Sequence, residues 1–323
     1  MKLRDYIPAL KYGAKVYPED IAGMVGIPYV GSIFYVDANA GSDTANNGTA
    51  QNNAFATVAA AYAACTSAKH DVVVIAPTGG TGRTAETTAI TWAKRFTHLI
   101  GNAAPTVQDV RAGIGFSTGG SLVISENGDI FKNITFTSSA DIDESVSVTG
   151  SYNSFLGVDF KGTYNATSAD STPWRALNIA GGQENYFGGC TLGSDTMTRG
   201  TANATLELES AASRNVFDNC LFTMHNDTAN TPVHVLATGA NAIDRWVQFN
   251  NCTFYSFWTN HTDKTAAVFN LSANTTTSDI LMTGNNLAIG FDDWEAIASN
   301  KMWFPSYEAQ NAGAYTGLAI NNA

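Results

Sequence analysis

A short pattern of apolar and polar positions recurs through the second half of the chain. Each copy has a large apolar residue (Phe in all but the last copy), any residue, Asn or Gly, usually an apolar residue or Cys, any residue, and then Phe or Leu. The copies occupy residues 131–136, 155–160, 187–192, 217–222 and 249–254, with a weaker copy at 282–287. Their starts lie 24, 32, 30, 32 and 33 residues apart. This period indicates an internal structural repeat whose units stack on one another.

A second pattern, which alternates apolar and polar residues, precedes the first five copies. It occupies residues 122–124, 146–148, 177–179, 206–208 and 233–235. Alternation with a period of two is typical of a strand with one buried face. Two or three short strands in each unit of roughly 30 residues predict an all-β parallel solenoid, whose turns stack about 4.8 Å apart.

The Asn or Gly at the third position of each copy predicts a corner of the solenoid. A corner needs a positive φ or a side chain that bonds its own backbone, and Gly and Asn supply both. We therefore expect a stacked column of Asn133, Gly157, Gly189, Asn219, Asn251 and Gly284. Cys190, Cys220 and Cys252 share the next position, so we expect a buried stack of free thiols. A disulfide ladder is the alternative, although it needs special side-chain angles.

Other segments predict the two ends of the solenoid. Upstream of the repeats we expect strands at 31–38, 72–75 and 97–100 and an Ala-rich helix at 53–68, which would cover the first turn. A cap of this kind hides backbone that would otherwise invite aggregation. A short helix at 292–300 is expected to form part of a second cap. The predicted organisation is an anchoring arm (1–30), the solenoid with its N-terminal cap (31–290) and a C-terminal cap and tail (291–323).

Insertions account for the uneven spacing of the repeats. Residues 163–175, 194–204, 225–231 and 256–266 are expected to leave the same side of the solenoid as loops. Insertions on one face of a repeat protein often carry its contact surface.

Composition and charge exclude several classes of function. The 323 residues carry a net charge of −11, which repels nucleic acid and anionic polysaccharide. No run of 18 apolar residues is present, so we expect no membrane span, and the first residues lack the apolar core of a signal peptide. The four cysteines form no close pairs, which disfavours zinc. We expect no metal and no cofactor.

The first residues differ from the rest in charge and pattern. Residues 1–16 have a net charge of +3 and mix basic with apolar side chains, without the repeat pattern. Such an arm either wraps its own domain or docks onto another protein, and we favour docking. The expected anchoring residues are Arg4, Tyr6, Ile7, Leu10, Lys11, Tyr12 and Tyr17.

Two outward-facing columns carry the candidate chemistry. The first contains Ser147, Asn178, Glu207 and His234. Adjacent turns would bring Glu207 and His234 together, with Glu209 nearby, and such a pair can perform general acid–base catalysis. A solvated polar ladder is the favoured interpretation, so we assign no catalytic residue. The second column contains Thr135, Asp159, Thr191, Leu221 and Thr253 and is nearly neutral, which suits packing against identical subunits.

Two motifs resemble ligand loops but depart from them. Residues 76–84 follow a strand and contain Gly-Gly-Thr-Gly, yet Pro77 and Arg83 stand where a phosphate loop has its first Gly and its Lys. Residues 37–43 have three polar positions but lack the ligand spacing of a calcium loop, so we expect a polar turn.

The chain resembles the right-handed parallel β-helix proteins of the pectate-lyase-like superfamily. The resemblance lies in the repeats and in an entry segment formed by residues 34–43, Asn47-Gly48 and residues 54–58. Residues 3–21 are similar to the start of tailed-bacteriophage virion proteins. Lyases of this superfamily use acidic calcium ligands with a basic residue, and the related hydrolases use clustered Asp residues. The chain departs from both, because its repeats contain no Asp-Asp pair and no Arg-x-Lys.

The resemblance and the missing catalytic cluster favour a non-enzymatic virion structural protein. We expect it to decorate or cement the head of a tailed phage, anchored by its arm, after assembly in the host cytoplasm. The expected partners are other virion proteins, such as the major capsid protein, and the protein itself as a homotrimer. The alternative is a receptor-binding tailspike or fibre that contacts host surface glycans and depolymerises them, with Glu207, Glu209 and His234 as candidates. A bacterial surface β-helix or a free-standing carbohydrate-active enzyme is a third interpretation.

Overall fold

Three sheets of short strands wind around one apolar core. The computed structural model describes residues 31–226, 232–258, 265–296, 301–305 and 317–319. Within these ranges the chain passes from sheet A to sheet B to sheet C and then returns to sheet A one level further along. We call one such passage a rung. The arrangement is a right-handed parallel β-helix, as predicted.

The strands are numbered in chain order. Sheet A contains β1 (Ile33–Val36), β2 (Val72–Ile75), β5 (His98–Gly101), β8 (Ile130–Lys132), β11 (Ser154–Leu156), β14 (Tyr186–Gly188), β17 (Asn215–Asp218), β20 (Trp246–Asn250), β23 (Asp279–Thr283), β26 (Met302–Pro305) and β27 (Gly317–Ala319). Sheet B contains β3 (Arg83–Glu86), β6 (Gly113–Phe116), β9 (Thr135–Ser138), β12 (Asp159–Thr163), β15 (Thr191–Arg199), β18 (Leu221–Asn226), β21 (Thr253–Trp258) and β24 (Leu287–Ile289). Sheet C contains β4 (Ile90–Trp92), β7 (Leu122–Ile124), β10 (Val146–Val148), β13 (Leu177–Ala180), β16 (Ala204–Glu209), β19 (Val233–Ala237), β22 (Thr265–Asn270) and β25 (Phe291–Glu295). The described pairs are parallel except β26 with β27.

A stack of phenylalanine rings runs through the core. The first aromatic residue of each repeat copy lies in sheet A and pairs with its counterpart in the next rung. The rings of Phe131, Phe155, Phe187, Phe217 and Phe249 are fully buried, with successive centroids 5.1, 4.6, 4.5 and 5.0 Å apart. Stacked rings at these distances contribute packing energy beyond the area that they bury.

The predicted corner column lies between sheets A and B. Its six members, Asn133, Gly157, Gly189, Asn219, Asn251 and Gly284, all have positive φ, between 51° and 66°. We call these residues the Asn/Gly column. The weak sixth repeat copy contains one extra residue, because Thr253 pairs with Leu287 and Phe254 pairs with Ala288. Leu287 therefore lies outside the core, contrary to the repeat alignment.

The three repeat cysteines lie next to this column as free, buried thiols, as predicted. The Sγ–H groups of Cys190, Cys220 and Cys252 donate to the carbonyl oxygens of Phe155, Phe187 and Phe217, at 3.3, 3.3 and 3.4 Å. The disulfide ladder is not formed. Burial raises the pKa of the Cys220 thiol well above its usual value, so the thiol stays protonated and unreactive.

An asparagine ladder occupies the corner between sheets C and A. The amide oxygens of Asn153, Asn185 and Asn215 accept the backbone N–H groups of the preceding rung's Asp129, Asn153 and Asn185, at 2.8, 2.9 and 3.0 Å. Their amide nitrogens donate to backbone carbonyl oxygens, so these buried side chains replace the backbone bonds that the corner interrupts. Sequence analysis missed this ladder. Its signal is an Asn or Asp two residues before the core Phe of the rung.

Helix α1 (Val58–Ala64) covers the first rung, as the cap prediction required, but it is shorter than the predicted 53–68. Its Tyr62 ring stacks on Trp92 at 4.1 Å, and Val58 and Ala61 are fully buried. The buried Glu86 carboxylate accepts the N–H of Val58 at 2.7 Å, at the start of the helix. Lys94 Nζ donates to the carbonyl oxygens of Tyr62, Ala63 and Cys65 at its end, at 2.8, 3.0 and 2.8 Å.

The helix predicted at 292–300 is wrong over its described part. Residues 291–295 form strand β25, which pairs with β22 as the last strand of sheet C. Pairing with an open sheet edge outweighs a weak local helix preference. Residues 297–300 lie outside the described residues.

The connections from sheet B to sheet C carry the predicted insertions. Helix α2 (Ala166–Ala169) lies in the longest described one, between β12 and β13. Residues 194–204 were expected to be a loop, but residues 194–199 belong to β15, which pairs with β18 on both sides of a bulge at residues 195–197. Residues 227–231 and 259–264, within two other insertions, lie outside the described residues.

Candidate functional site

Glu207 and His234 do not lie next to each other, contrary to prediction. In the observed register Leu206 pairs with Val235, so Glu207 pairs with Leu236. The predicted alignment is displaced by two residues. His234, which was expected on the outward face, instead packs its ring 5.9 Å from those of the core residues Phe222 and Phe254. His234 is fully buried beside Thr205, whose Oγ1 lies 3.1 Å from His234 Nδ1. Burial lowers the pKa of His234 well below its usual value, so this imidazole is neutral and enclosed.

The outer face of sheet C nevertheless carries a charged cluster, which we call the sheet C cluster (Glu144, Arg175, Asn178, Glu207 and Glu209). Arg175 Nε lies 2.7 Å from Glu207 Oε2, and Thr238 Oγ1 donates to Glu207 Oε1 at 2.5 Å. Asn178 Nδ2 donates to Glu209 Oε1 at 2.9 Å. The predicted polar ladder is thus a network in which Glu207 is neutralised by a guanidinium that the sequence had not indicated.

Electrostatics set the protonation of this cluster. Burial raises the pKa of Glu144, and the carboxylates of Glu209 and Glu207 raise it further, against a hydrogen bond from Asn178. Of the three carboxyl groups only Glu207 pairs with the guanidinium, and a carboxyl with a raised pKa, such as Glu144, can serve as a general acid. In the described part of the chain, no group of three or more His, Cys, Asp or Glu side chains is placed to hold a metal ion.

The N-terminal half of the outer face of sheet B is charged. The predicted column of Thr135, Asp159, Thr191, Leu221 and Thr253 is aligned in the observed register. Burial raises the pKa of Asp159 to about 7, against the effects of Lys161 and Arg83. Lys161 Nζ lies 4.0 Å from Asp159 Oδ2, and Arg83 pairs with Asp109. The expectation of a nearly neutral face is therefore wrong for this half.

A crossing segment, residues 102–112, lies over the same half of sheet B. The N–H of Asp109 donates to Asp159 Oδ2 at 2.6 Å, and Thr191 Oγ1 donates to the carbonyl oxygen of Val107. Two clefts of about 390 and 350 Å³ flank the segment, the first lined in part by Lys132 and Leu156, the second in part by Thr191 and Leu221. Asp159 is 2% exposed beneath the segment, so it has no open approach for a substrate.

Apart from Thr223, His225 and Thr253, the C-terminal half of the same face is apolar. Five side chains of β18, β21 and β24 are partly or fully exposed there, namely Leu221, Tyr255, Phe257, Leu287 and Ile289. We call them the sheet B patch. Leu287 is 51% exposed, Ile289 41% and Phe257 37%. Sequence analysis identified only Leu221, because the other four lie outside the repeat pattern or at a position that it assigned to the core.

The expected anchoring residues, Arg4, Tyr6, Ile7, Leu10, Lys11, Tyr12 and Tyr17, lie outside the described residues. Their role stays a prediction. No helix among the residues that the structure describes is long and apolar enough to cross a membrane.

Comparisons with known proteins return structures alone. No family model matches the chain, and no curated protein matches it. Similar structures include a pectin methylesterase in complex with a hexasaccharide (TM-score 0.49, 16% identity, 80% of each chain covered) and a pectin methylesterase from Aspergillus niger (0.48, 13%, 86% of this chain and 91% of that chain). ORF18 of Geobacillus virus E2 is also similar (0.33, 14%, 84% and 61%). At these identities and TM-scores, the likenesses carry no conclusion about activity, substrate or partner.

Proposed function

We propose that this protein is a non-enzymatic structural component of a tailed-phage virion, a head decoration protein held by residues 1–30 and assembled as a trimer. The observation that carries the proposal is the sheet B patch. Contiguous exposed apolar surface on an otherwise polar protein is typical of an assembly interface. The similarity of residues 3–21 to the start of phage virion proteins supports the particle as the place of assembly.

A second copy of the chain is the partner that best fits the patch. The patch has no ionised side chain, whereas the whole chain carries a net charge of −11. Two copies of so acidic a protein approach most easily through surfaces that carry no charge. Apolar and aromatic side chains in the centre of an interface also avoid burying unpaired charges.

The oligomeric state tests this interface directly. We expect the wild-type chain to sediment as a trimer, and Leu287→Asp or Ile289→Asp to shift it to the monomer. Each substitution would bury a carboxylate without a partner. Val107→Asp is the matched control, because Val107 is 71% exposed but lies on the crossing segment. A wild-type monomer at all concentrations, or variants that remain trimeric, would contradict the proposed interface.

The position of the protein on the particle tests the role. We expect cryo-electron microscopy of the intact virion to place copies on the head, at symmetry-related sites. Full-length Ile7→Asp and Leu10→Asp variants should fail to bind particles stripped of the protein, while they remain trimeric. Copies at the tail tip, or undiminished binding of both variants, would count against decoration through the arm.

The second candidate function is a receptor-binding tailspike or fibre with glycan-depolymerase activity. The sheet C cluster favours it, because a carboxyl with a raised pKa lies among other carboxylates and an arginine. If this is the function, the purified protein should shorten host capsule or lipopolysaccharide chains. Glu144→Gln should then abolish the cleavage, with Asp244→Asn, an exposed carboxylate outside the cluster, as the control. Absence of cleavage by the wild-type protein would remove this candidate.

A further inference from the structure

A second column of positive-φ residues lies at the corner between sheets C and A. It comprises His70, Phe96, Gly128, Tyr152, Glu184 and Arg214, one in each of six successive rungs, with φ between 53° and 79°. Each lies one residue before the position that the asparagine ladder occupies in its rung, or before the equivalent position in the rungs N-terminal to the ladder. We call these residues the mixed column.

The two columns meet the same backbone requirement with different residues. In the Asn/Gly column all six members are Asn or Gly, the types that tolerate positive φ. In the mixed column only Gly128 is of this kind. A bulky residue such as Phe or Tyr at positive φ is strained, and strain of this kind persists where a side chain serves another purpose. The backbone alone would be served better by Gly or Asn, so those side chains of the mixed column that reach the surface are candidates for contact with a ligand.

The aromatic members of the mixed column present their rings on the surface. Tyr152 is 60% exposed and Phe96 is 38% exposed. The Phe96 ring stacks on His70 at 5.0 Å and lies over Gly128, where an added Cβ would come within 2.3 Å of Phe96 Cε1. Phe96 and Tyr152 are two rungs apart, about 10 Å along the axis. A ligand that contacts both rings must therefore run along the rod.

The polar members continue this line in the next two rungs. Arg214 Nε donates to Glu184 Oε1 at 2.8 Å, and Arg214 Nη2 donates to Gln183 Oε1 at 2.9 Å. The carboxylate and the guanidinium neutralise each other, and both side chains are about one third exposed. They have further hydrogen-bonding capacity, because a carboxylate accepts about four bonds and a guanidinium donates five.

The backbone along the column has little to offer an extended peptide. The N–H groups of Tyr152, Glu184 and Arg214 donate to the carbonyl oxygens of Gln183, Ser213 and Trp246, at 3.0, 2.9 and 2.6 Å. A peptide could not add to this corner as a strand, because these groups already bond the next rung. Recognition must therefore use side chains, namely aromatic faces followed by hydrogen-bonding groups.

We infer that the mixed column binds a neutral linear glycan laid along the rod. Sugar rings present apolar C–H faces, which stack on Tyr152 and contact the exposed part of the Phe96 ring, and hydroxyl groups, which bond Glu184 and Arg214. Aromatic surface with a few placed polar groups is the usual lining of a small-molecule site. The ligand is neutral because the Glu184–Arg214 pair has no net charge and the chain as a whole repels anions. This inference is independent of the proposed assembly role.

Calorimetric titration with neutral linear hexasaccharides of glucose, mannose and N-acetylglucosamine tests the inference. We expect the wild-type chain to bind at least one of them, and Tyr152→Gly to weaken that binding about tenfold or more. The thermal midpoint of Tyr152→Gly should not fall, because glycine relieves the strain at positive φ. Arg214→Ala should also weaken binding, and Val107→Gly, on the crossing segment, should leave it unchanged.

The monomeric Leu287→Asp variant separates this site from the proposed interface, and it should bind the hexasaccharide as the wild type does. Equal affinity of Tyr152→Gly and the wild-type chain, or no binding of any of the three hexasaccharides, would overturn the inference.

Discussion

At the residue scale, the most consequential side chain is Asp129, which stands where the ladder would otherwise have an asparagine. Its Oδ1 accepts the N–H of Thr97 at 2.8 Å, as an asparagine oxygen would. Its Oδ2 is buried without a hydrogen-bond partner, at the position where Asn153, Asn185 and Asn215 have a donating amide nitrogen. Burial and, to a smaller extent, the carboxylate of Glu126 raise the pKa of Asp129 from 3.8 to about 8. The carboxyl is therefore mostly protonated in the folded protein at neutral pH.

Asp129→Asn is expected to stabilise the protein at neutral pH. The folded pKa lies above the unfolded one, so the wild-type free energy of unfolding falls as the pH rises from about 4 to about 8. Asparagine does not ionise, so the variant does not lose free energy of unfolding as the pH rises. Its amide nitrogen also supplies a hydrogen-bond donor at the position of Asp129 Oδ2. The gain should be on the order of 1–4 kcal/mol at pH 7 and should vanish near pH 4.

Urea denaturation at several pH values between 4 and 8 measures this difference. Asp244→Asn is the control, since Asp244 is exposed and forms a surface ion pair with the adjacent Arg245. Surface pairs contribute little to stability. If the free energy of unfolding of Asp129→Asn falls with pH as steeply as that of the wild type, Asp129 is ionised in the folded protein.

At the element scale, corners and caps decide which substitutions the rod tolerates. The Asn/Gly column turns the chain from sheet A to sheet B in six rungs, with φ between 51° and 66°. Helix α1 closes the first rung and is bonded at both ends by rung side chains, Glu86 at its start and Lys94 at its end. A carboxylate at the start of a helix and an ammonium at its end both oppose the partial charges there.

Asn219 tests the requirement for positive φ. Asn219→Gly should leave the free energy of unfolding nearly unchanged, whereas Asn219→Ala should lower it by about 1 kcal/mol, because alanine is strained at φ 53°. Chemical denaturation of the two variants measures the difference. Equal stability of both variants would mean that the corner relaxes to negative φ when Asn219 is replaced.

The cap can be tested through Cys65, a buried free thiol just after helix α1. Burial and the nearby Asp71 raise its pKa to about 12, so the closed cap suppresses the reactive thiolate. Glu86→Ala removes the acceptor for the N–H of Val58 and for the Thr84 hydroxyl. We expect the rate of Cys65 alkylation to rise about tenfold or more through local opening.

Mass spectrometry of alkylated peptides separates Cys65 from the three repeat cysteines, which should stay protected. Lys69→Ala is the control, because Lys69 is an exposed lysine near the cap. Equal labelling of Cys65 in wild type and Glu86→Ala would show that Glu86 does not hold the cap.

At the scale of the whole molecule, the rod combines an acidic surface with an apolar patch at one end. The first rung is closed by helix α1, whereas the sheet B patch lies on β18, β21 and β24, the last three strands of sheet B. Three acidic copies that meet through this patch would repel one another elsewhere on their surfaces. Assembly is thus a balance between apolar burial and net charge.

Self-association is therefore expected to strengthen with ionic strength. Raising the salt from about 20 mM to about 300 mM shortens the Debye length from roughly 20 Å to below 8 Å, which weakens repulsion between copies but leaves apolar burial intact. Analytical ultracentrifugation at both salt concentrations measures the change in the trimer fraction. An interface built on ion pairs would weaken under the same change, and that outcome would contradict the role of the sheet B patch.

Much of the rod could be predicted from the sequence because a repeat places equivalent residues at equivalent positions. The Phe stack, the Asn/Gly column and the buried cysteines each follow from a local pattern that recurs in successive rungs. The asparagine ladder could have been found in the same way, from the Asn or Asp two residues before Phe131, Phe155, Phe187 and Phe217.

The sequence by itself determined the repeat, the fold class and the core, because burial and positive φ constrain residue types locally. Only the tertiary structure decided the register between rungs. A shift of two residues preserves the alternation of inward and outward side chains, so the pattern could not tell whether Glu207 or Thr205 lies beside His234. The tertiary structure also decided that residues 291–295 pair as a strand, that the crossing segment covers Asp159, and that the sheet B patch stays exposed. These features depend on which distant segment occupies a surface, and local patterns carry no information about that.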